Sequence, residues 1–222
     1  MDWSVFLPPV LLSLQTAVIA SIIVFVLALV VARFMARRRF RGQAAVDTLL
    51  LLPLVLPPTV VGFVLLVLLG ARGPAGRLAE ELLGRTLLFT PAAAVVAAAI
   101  VAFPLAYSAM RSGFEAVDRE LEDAARSLGA SEWQVLRHVS IPLASRALLA
   151  GYVLGFARGL GEFGATLMIA GSIPGRTQTL PTAIYLAVDA GRTGMAWAWT
   201  VAIVAVSFLM LALSGFIAKS QA

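Results

Sequence analysis

Residues 3–32 read WSVFLPPVLLSLQTAVIASIIVFVLALVVA, an apolar run from Trp3 to Ala32 without a single Asp, Glu, Lys or Arg. A bilayer-spanning helix needs about 20 predominantly apolar residues, and this stretch exceeds that length unbroken. Three more charge-free stretches pass the same test: Thr48 to Ala71, Thr86 to Met110 and Thr193 to Ala218. A fifth, Ala147 to Gly171, passes only by holding Arg158 and Glu162 inside it. The expectation is an all-α, polytopic membrane protein with about five transmembrane helices, one membrane domain over residues 1–222. Pro53, Pro57, Pro58 and Pro104 lie inside two of these spans. Each removes a backbone donor and should kink its helix.

Composition demands the same class. Hydrophobic residues make up 60% of the chain and charged residues 13%, and mean hydropathy is +0.94. An ordinary soluble domain carries about 25% charged residues, so lipid must cover the excess apolar surface. The net charge of +5 does not point to nucleic acid, because the basic residues punctuate apolar runs and form no basic domain. With Cys at 0 and His at 1, thiolate chemistry is excluded and a metal site is not expected. No cleaved signal peptide is expected either, since Met1-Asp2-Trp3-Ser4 lacks a basic region and the following apolar run is too long.

Lys and Arg set the orientation. Arg33, Arg37, Arg38, Arg39 and Arg41 follow the first span; Arg111, Arg119, Arg126, Arg137 and Arg146 lie between the third and fourth; Lys219 is in the tail. Only Arg72, Arg77, Arg85, Arg176 and Arg192 fall on the other side. The positive-inside rule places the N-terminus outside and the C-terminus in the cytoplasm of a cell (inner or plasma) membrane. The cluster Arg37 to Arg41 is read as a topology anchor. On the outer side, Gly73 to Arg85 is short and mixed in charge. Pro181 to Ala190 reads as a helix closed by Gly191, too short to span. It is either a cap resting on the bilayer or a docking platform for an external partner.

The longest cytoplasmic segment, Arg111 to Arg146, has internal order. Leu121, Ala124, Ala125 and Leu128 recur at helical spacing and form one apolar stripe, expected to pack the loop together. Gly129 stops that helix. Ser131 and Gln134 form a capping box that starts another helix, carrying Trp133, Leu136 and Val139, which should break near Pro142. A short helix with large apolar side chains on this side lies on the membrane or fills a groove in another protein.

The pattern Asp123-Ala124-Ala125, Gly129, Val139-x-Ile141-Pro142 resembles the EAA loop of ABC-importer permeases, with Asp, Val and Ile standing where that motif usually has Glu, Ile and Leu. The stretches Leu52 to Val60, Gly159 to Thr166 and Ala170 to Pro181 are similar to the molybdate-transport permease family. The resemblance implies that residues 111–146 carry a coupling helix that docks into a cytoplasmic ATPase. Glu122, Asp123, Ala124, Ala125, Gly129, Trp133, Val139, Ile141 and Pro142 would form its coupling residues. It further implies a second copy of the chain, two ATP-binding subunits that use ATP and Mg, and an external binding protein that delivers molybdate or tungstate. Sulfate and thiosulfate permeases share the architecture.

The chain itself shows no phosphate-binding loop, since Lys219-Ser220 follows Ala218 and lacks the required glycines. It is expected to be a transport subunit and not an enzyme, binding no cofactor and no metal. Within the membrane, Arg158 and Glu162 share a helix face with Gly151 and Gly155. They are expected to form an internal ion pair that locks packing, the alternative being that Arg158 meets the passing dianion. Pro57, Pro58 and Thr59 are read as a hinge more than a binding site, because freed carbonyls repel an oxyanion. His138, alone in the loop, is read as incidental. A stand-alone secondary transporter is the competing class, but it leaves the cytoplasmic loop unexplained, and the chain has no internal repeat.

Overall fold

The computed structural model describes residues 2–220. Met1, Gln221 and Ala222, the ends of the expected domain, lie outside the described residues, as does the Lys219 side chain. Every regular element among the described residues is helical: α1 (Trp3–Arg37), α2 (Gln43–Val55), α3 (Pro58–Leu69), α4 (Pro74–Leu83), α5 (Pro91–Glu115), α6 (Arg119–Ser127), α7 (Glu132–Val135), a π-helical turn (Leu136–Ser140), α8 (Ile141–Leu160), α9 (Gly164–Ile169), α10 (Leu180–Asp189) and α11 (Thr193–Ser220).

Helices α1, α5 and α8 form the centre. Lipid offers no hydrophobic reward for helix association, so close backbone approach through small residues must supply it. The buried face of α1 accordingly runs Ala17, Ala20, Val24, Ala28, Ala32, and that of α5 runs Ala93, Ala94, Ala97, Ala98, Ala102, Ala106. A Cβ at Gly113 would lie 2.3 Å from the Ala147 side chain, and one at Gly151 would lie 3.0 Å from the Ala106 carbonyl oxygen. The first leaves no room for a side chain, and the second is tight for one.

Two expected spans differ from their sequence reading. The second is not a kinked helix but two helices, α2 and α3, bent by 111° at the break. Pro58 opens α3, and consecutive prolines supply no N–H to bridge the gap. The pair still crosses the bundle. Asp47 of α2 meets Tyr107 and Arg111 at the cytoplasmic end of α5, while α3 joins the cluster containing Ala93 and Ala94 at its other end.

The fourth span is displaced. Continuous helix runs from Glu132 to Leu160, the chain breaks at Gly161 to Phe163, and α9 continues to Ile169. The break expected near Pro142 does not occur. The Ile141 N–H bonds the Leu136 carbonyl, five residues back, so a widened turn precedes the proline. A π turn relieves the clash with the preceding turn that ends an ordinary α-helix.

The outer helix α10 is neither free on the bilayer nor detached. Leu180, Thr182, Ala183 and Ala187 are buried, the Leu180 N–H donates to Ser13 Oγ at 2.6 Å, and its partners in the cluster include Trp199, Phe6 and Val10.

Candidate coupling site

The cytoplasmic loop is a compact knuckle pinned at its base by one carboxylate. Asp118 caps α6, accepting the Glu120 N–H at 2.9 Å. One turn on, Glu122 is 1% exposed, although its helix is otherwise polar and solvated. Its Oε1 accepts from Arg33 Nη1 at 2.9 Å, Arg37 Nη2 at 2.8 Å and Ser140 Oγ at 2.7 Å. Arg37 Nη2 also donates to the Val117 carbonyl at 3.0 Å. The end of α1, the helix α6 and the π turn leading into α8 are thus tied at a single point. Burial would push the Glu122 carboxyl up, but the Ser140 hydroxyl and the Arg33 and Arg37 guanidiniums outweigh it and hold the pKa below the ordinary value. Arg37 is therefore more than a topology anchor.

The expected apolar stripe is present but faces outward. Leu121 is 50% exposed, Leu128 89% and Trp133 64%. The loop is held together by other means. Arg126 Nη1 bonds Asp123 at 2.6 Å and Arg126 Nε bonds Glu132 at 2.6 Å, clamping α6 to α7. Gly129, at φ +91°, donates its N–H to the Arg126 carbonyl, and the Ala130 N–H reaches the Ala125 carbonyl. This pair of hydrogen bonds closes a helix through a left-handed residue. A Cβ at Gly129 would meet nothing within 4 Å, so the requirement for glycine is conformational and not steric. The capping box forms as expected, with Ser131 N–H to Gln134 Oε1 at 2.7 Å and Gln134 N–H to Ser131 Oγ at 3.4 Å. Val135 is fully buried, and Leu136 and Ile141 pack on the main core; Val139 is half-buried and Pro142 exposed. Ala124 is exposed and Ala125 half-buried. His138 is exposed, its Nδ1 3.1 Å from the Gln134 carbonyl.

Deeper in the bundle, the other candidates converge. Arg158 Nη1 pairs with Glu162 Oε2 at 2.7 Å. Glu162 is 2% exposed, and it lies in the break after α8 and not on the helix itself. Its other oxygen accepts the Ala165 N–H at 2.8 Å, satisfying a donor that the break would orphan. A Cβ at Gly164 would stand 3.0 Å from Pro58 Cβ and 3.3 Å from the Thr59 nitrogen. The break after α2 therefore rests on the break after α8. Sequence reasoning treated Thr59 and the Arg158–Glu162 pair as separate features; the fold places them at one junction. It also missed the cluster of Asp47, Tyr107, Arg111 and Glu115, whose members sit in different segments and carry no shared spacing. Among the described residues there is no group of His, Cys, Asp and Glu fit for a metal.

Four helices long and apolar enough to cross a membrane, with the bent pair α2 and α3 as a candidate fifth crossing, around a tight alanine-rich centre define a multi-pass membrane protein. The chain belongs to the family described as binding-protein-dependent transport system inner membrane component, which matches residues 25–221. A Bacillus subtilis protein named as a molybdenum transport system permease, YvgM, is 51% identical over 94% of this chain and 92% of its own length. The Escherichia coli K12 molybdenum transport system permease ModB is 41% identical over 95% and 92%. Among solved structures, the chain superposes on a methionine ABC transporter in an inward-facing form with a TM-score of 0.78 over 100% of each chain, at 16% identity. It superposes equally well, at 0.78 over 99% of this chain and 80% of that one, on a bacterial ABC transporter that imports alginate, at 13% identity. At such identities the likeness speaks for the fold. Membership in a binding-protein-dependent family removes the ground for a stand-alone secondary transporter.

Proposed function

We propose that this chain is the permease subunit of an ATP-driven importer of a tetrahedral oxyanion, molybdate or tungstate. Two copies form the pathway, two cytoplasmic subunits hydrolyse ATP with Mg, and an external binding protein delivers the anion. The chain itself binds no cofactor. The observation that carries the reading is the knuckle: Leu121, Leu128 and Trp133 are exposed on its surface while Glu122 locks its base to α1 and to the turn leading into α8. An apolar surface in water is unfavourable unless a partner covers it, and a rigid base passes the partner's displacement on to the helices. In this reading Asp123, Ala124, Ala125, Gly129 and Trp133 form the ATPase-facing surface, while Val139, Ile141 and Pro142 join it to the membrane. The choice of anion is supported by the 51% and 41% identities to permeases named for molybdenum transport.

Arg158 and Glu162 fit a packing role. Glu162 already satisfies Arg158 and the Ala165 N–H, which leaves little free charge to trap a dianion. The test is uptake into proteoliposomes holding the permease, its ATPase and loaded binding protein. ATP-dependent molybdate uptake, with sulfate a poor competitor, is expected. Uptake that proceeds without the ATPase, or that sulfate abolishes at equal concentration, would overturn the proposal.

A further inference from the structure

The cleft between α1, α2 and α5 contains two cavities, one deeper than the other. At the cytoplasmic end is a polar basin of about 550 Å³ whose lining includes Arg38, Arg39, Gln43, Asp47, Arg111 and Arg119. Deeper in the same cleft is an apolar groove of about 210 Å³ lined by Leu27, Leu49, Leu50, Pro53, Ile100 and Phe103, among others. On α5 the step from Phe103 to Arg111 covers roughly 12 Å at the α-helical rise.

The basin's charge is not internally balanced. Its two carboxylates, Asp47 and Glu115, are both engaged by Arg111. Arg38, Arg39 and Arg119 are exposed, and none of the ion pairs among the described residues includes them. The Arg38 guanidinium lies over the Phe34 ring, 5.4 Å from its centroid. Three guanidiniums without a carboxylate partner at the cytoplasmic end of the helices attract a phosphate. A free anion would gain nothing from the apolar groove beyond, whereas a phospholipid fills both.

We propose that this cleft seats one anionic phospholipid of the cytoplasmic leaflet, its phosphate among Arg38, Arg39 and Arg119 and an acyl chain along Leu49 and Phe103. The seat adjoins the end of α1 that carries Arg33 and Arg37, but it uses neither.

Native mass spectrometry of the detergent-solubilised full chain tests this, with phosphatidylglycerol, phosphatidylcholine of the same acyl chains, and inorganic phosphate as probes. Wild type should retain phosphatidylglycerol at least tenfold more strongly than phosphatidylcholine. Replacing Arg38, Arg39 and Arg119 together by Gln should bring the two near parity. Arg119→Gln alone, which keeps the anchor on α1, should lower the preference about threefold, so the result does not hinge on membrane insertion of the triple variant. Leu49→Trp should weaken retention of both lipids by filling the groove. Equal retention of the two lipids by wild type, or a preference surviving the triple variant, would overturn the proposal. Displacement of the lipid by millimolar phosphate would reduce the basin to a simple anion site. If Leu49→Trp altered the oligomeric state and left lipid retention intact, the groove would be an interface between copies.

Discussion

Replacing Glu122 by Gln preserves the shape of the side chain and removes its charge. The carboxylate is 2% exposed, and the two guanidiniums it serves are 15% and 13% exposed, so solvent screens the cluster poorly. Gln can still accept the Ser140 hydroxyl, but Arg33 and Arg37 are left facing each other without a counterion. Removing one member of a buried pair costs about 3–5 kcal/mol. At 1.4 kcal/mol per tenfold, even the lower figure makes opening of the loop base about a hundredfold more frequent. The core of α1, α5 and α8 does not depend on this carboxylate, so the bundle should survive. Hydrogen exchange over residues 117–141 should accelerate while exchange in α5 stays slow. In the reconstituted importer, ATP hydrolysis should persist with weakened response to loaded binding protein, and uptake should fall at least tenfold. Unchanged exchange together with wild-type uptake would refute the view that Glu122 fastens the loop to the helices.

The same carboxylate gives a pH dependence of definite sign. Its pKa in the folded protein lies below the ordinary value of 4.5. The stability it contributes is therefore fully present above about pH 4.5 and is lost as pH falls through the lower folded value. Loop protection measured by exchange should be flat from neutral pH down to about pH 5 and decline only below it. A decline centred near pH 6 would point to another group.

Three further variants probe other parts of the same design. Gly129→Asp should strain a residue at φ +91° by about 1–2 kcal/mol without any steric clash, so the chain should insert normally while stimulated ATPase activity and uptake fall together. Leu128→Asp with Trp133→Ala, both at exposed positions, should leave thermal stability within about 0.5 kcal/mol but abolish co-purification of the ATPase. Glu162→Gln should lower detergent stability by about 3 kcal/mol, since Arg158 loses its partner; normal assembly with an altered order of anion competition would instead place the pair in the pathway.

Much of this architecture was legible in the sequence because hydropathy and helix punctuation are local signals. Three of the five spans are read from one continuous apolar run each, and the Ser131 capping box and the Gly129 stop from residues within one or two turns of each other. The failures share a cause. The outward face of Leu121 and Leu128 could not be told from an inward one, since periodicity shows that a stripe exists but not what it meets. Glu122 was placed among the coupling residues only through the family resemblance, and its place as a buried anchor was not legible, because its partners Arg33 and Arg37 lie 85–89 positions away in sequence. Pro142 was expected to break its helix, and only a widened turn, which has no sequence signature, let the helix pass.

Stiffness is distributed unevenly in the bundle, and the pattern fits a coupled machine. The centre is closely packed: a methyl group at Gly113 would collide with the Ala147 side chain, and one at Gly151 would press on Met110 and the Ala106 carbonyl. Glu122 adds α6 to that centre by bonding to the end of α1 and to the turn that leads into α8. In the proposed reading a displacement of the knuckle is passed through these bonds to α1 and α8. Compliance lies at the other end of the path, where the 111° break of α2 and α3 rests on the break between α8 and α9. Breaks lack continuous helical hydrogen bonds and are where large φ/ψ changes can be taken up. Glu162 limits that freedom by holding Arg158 and the Ala165 N–H at once. If the proposed coupling holds, the junction of Pro58, Thr59, Gly164 and Glu162 is the place in this fold where motion started at the cytoplasmic knuckle would become a change in shape within the membrane.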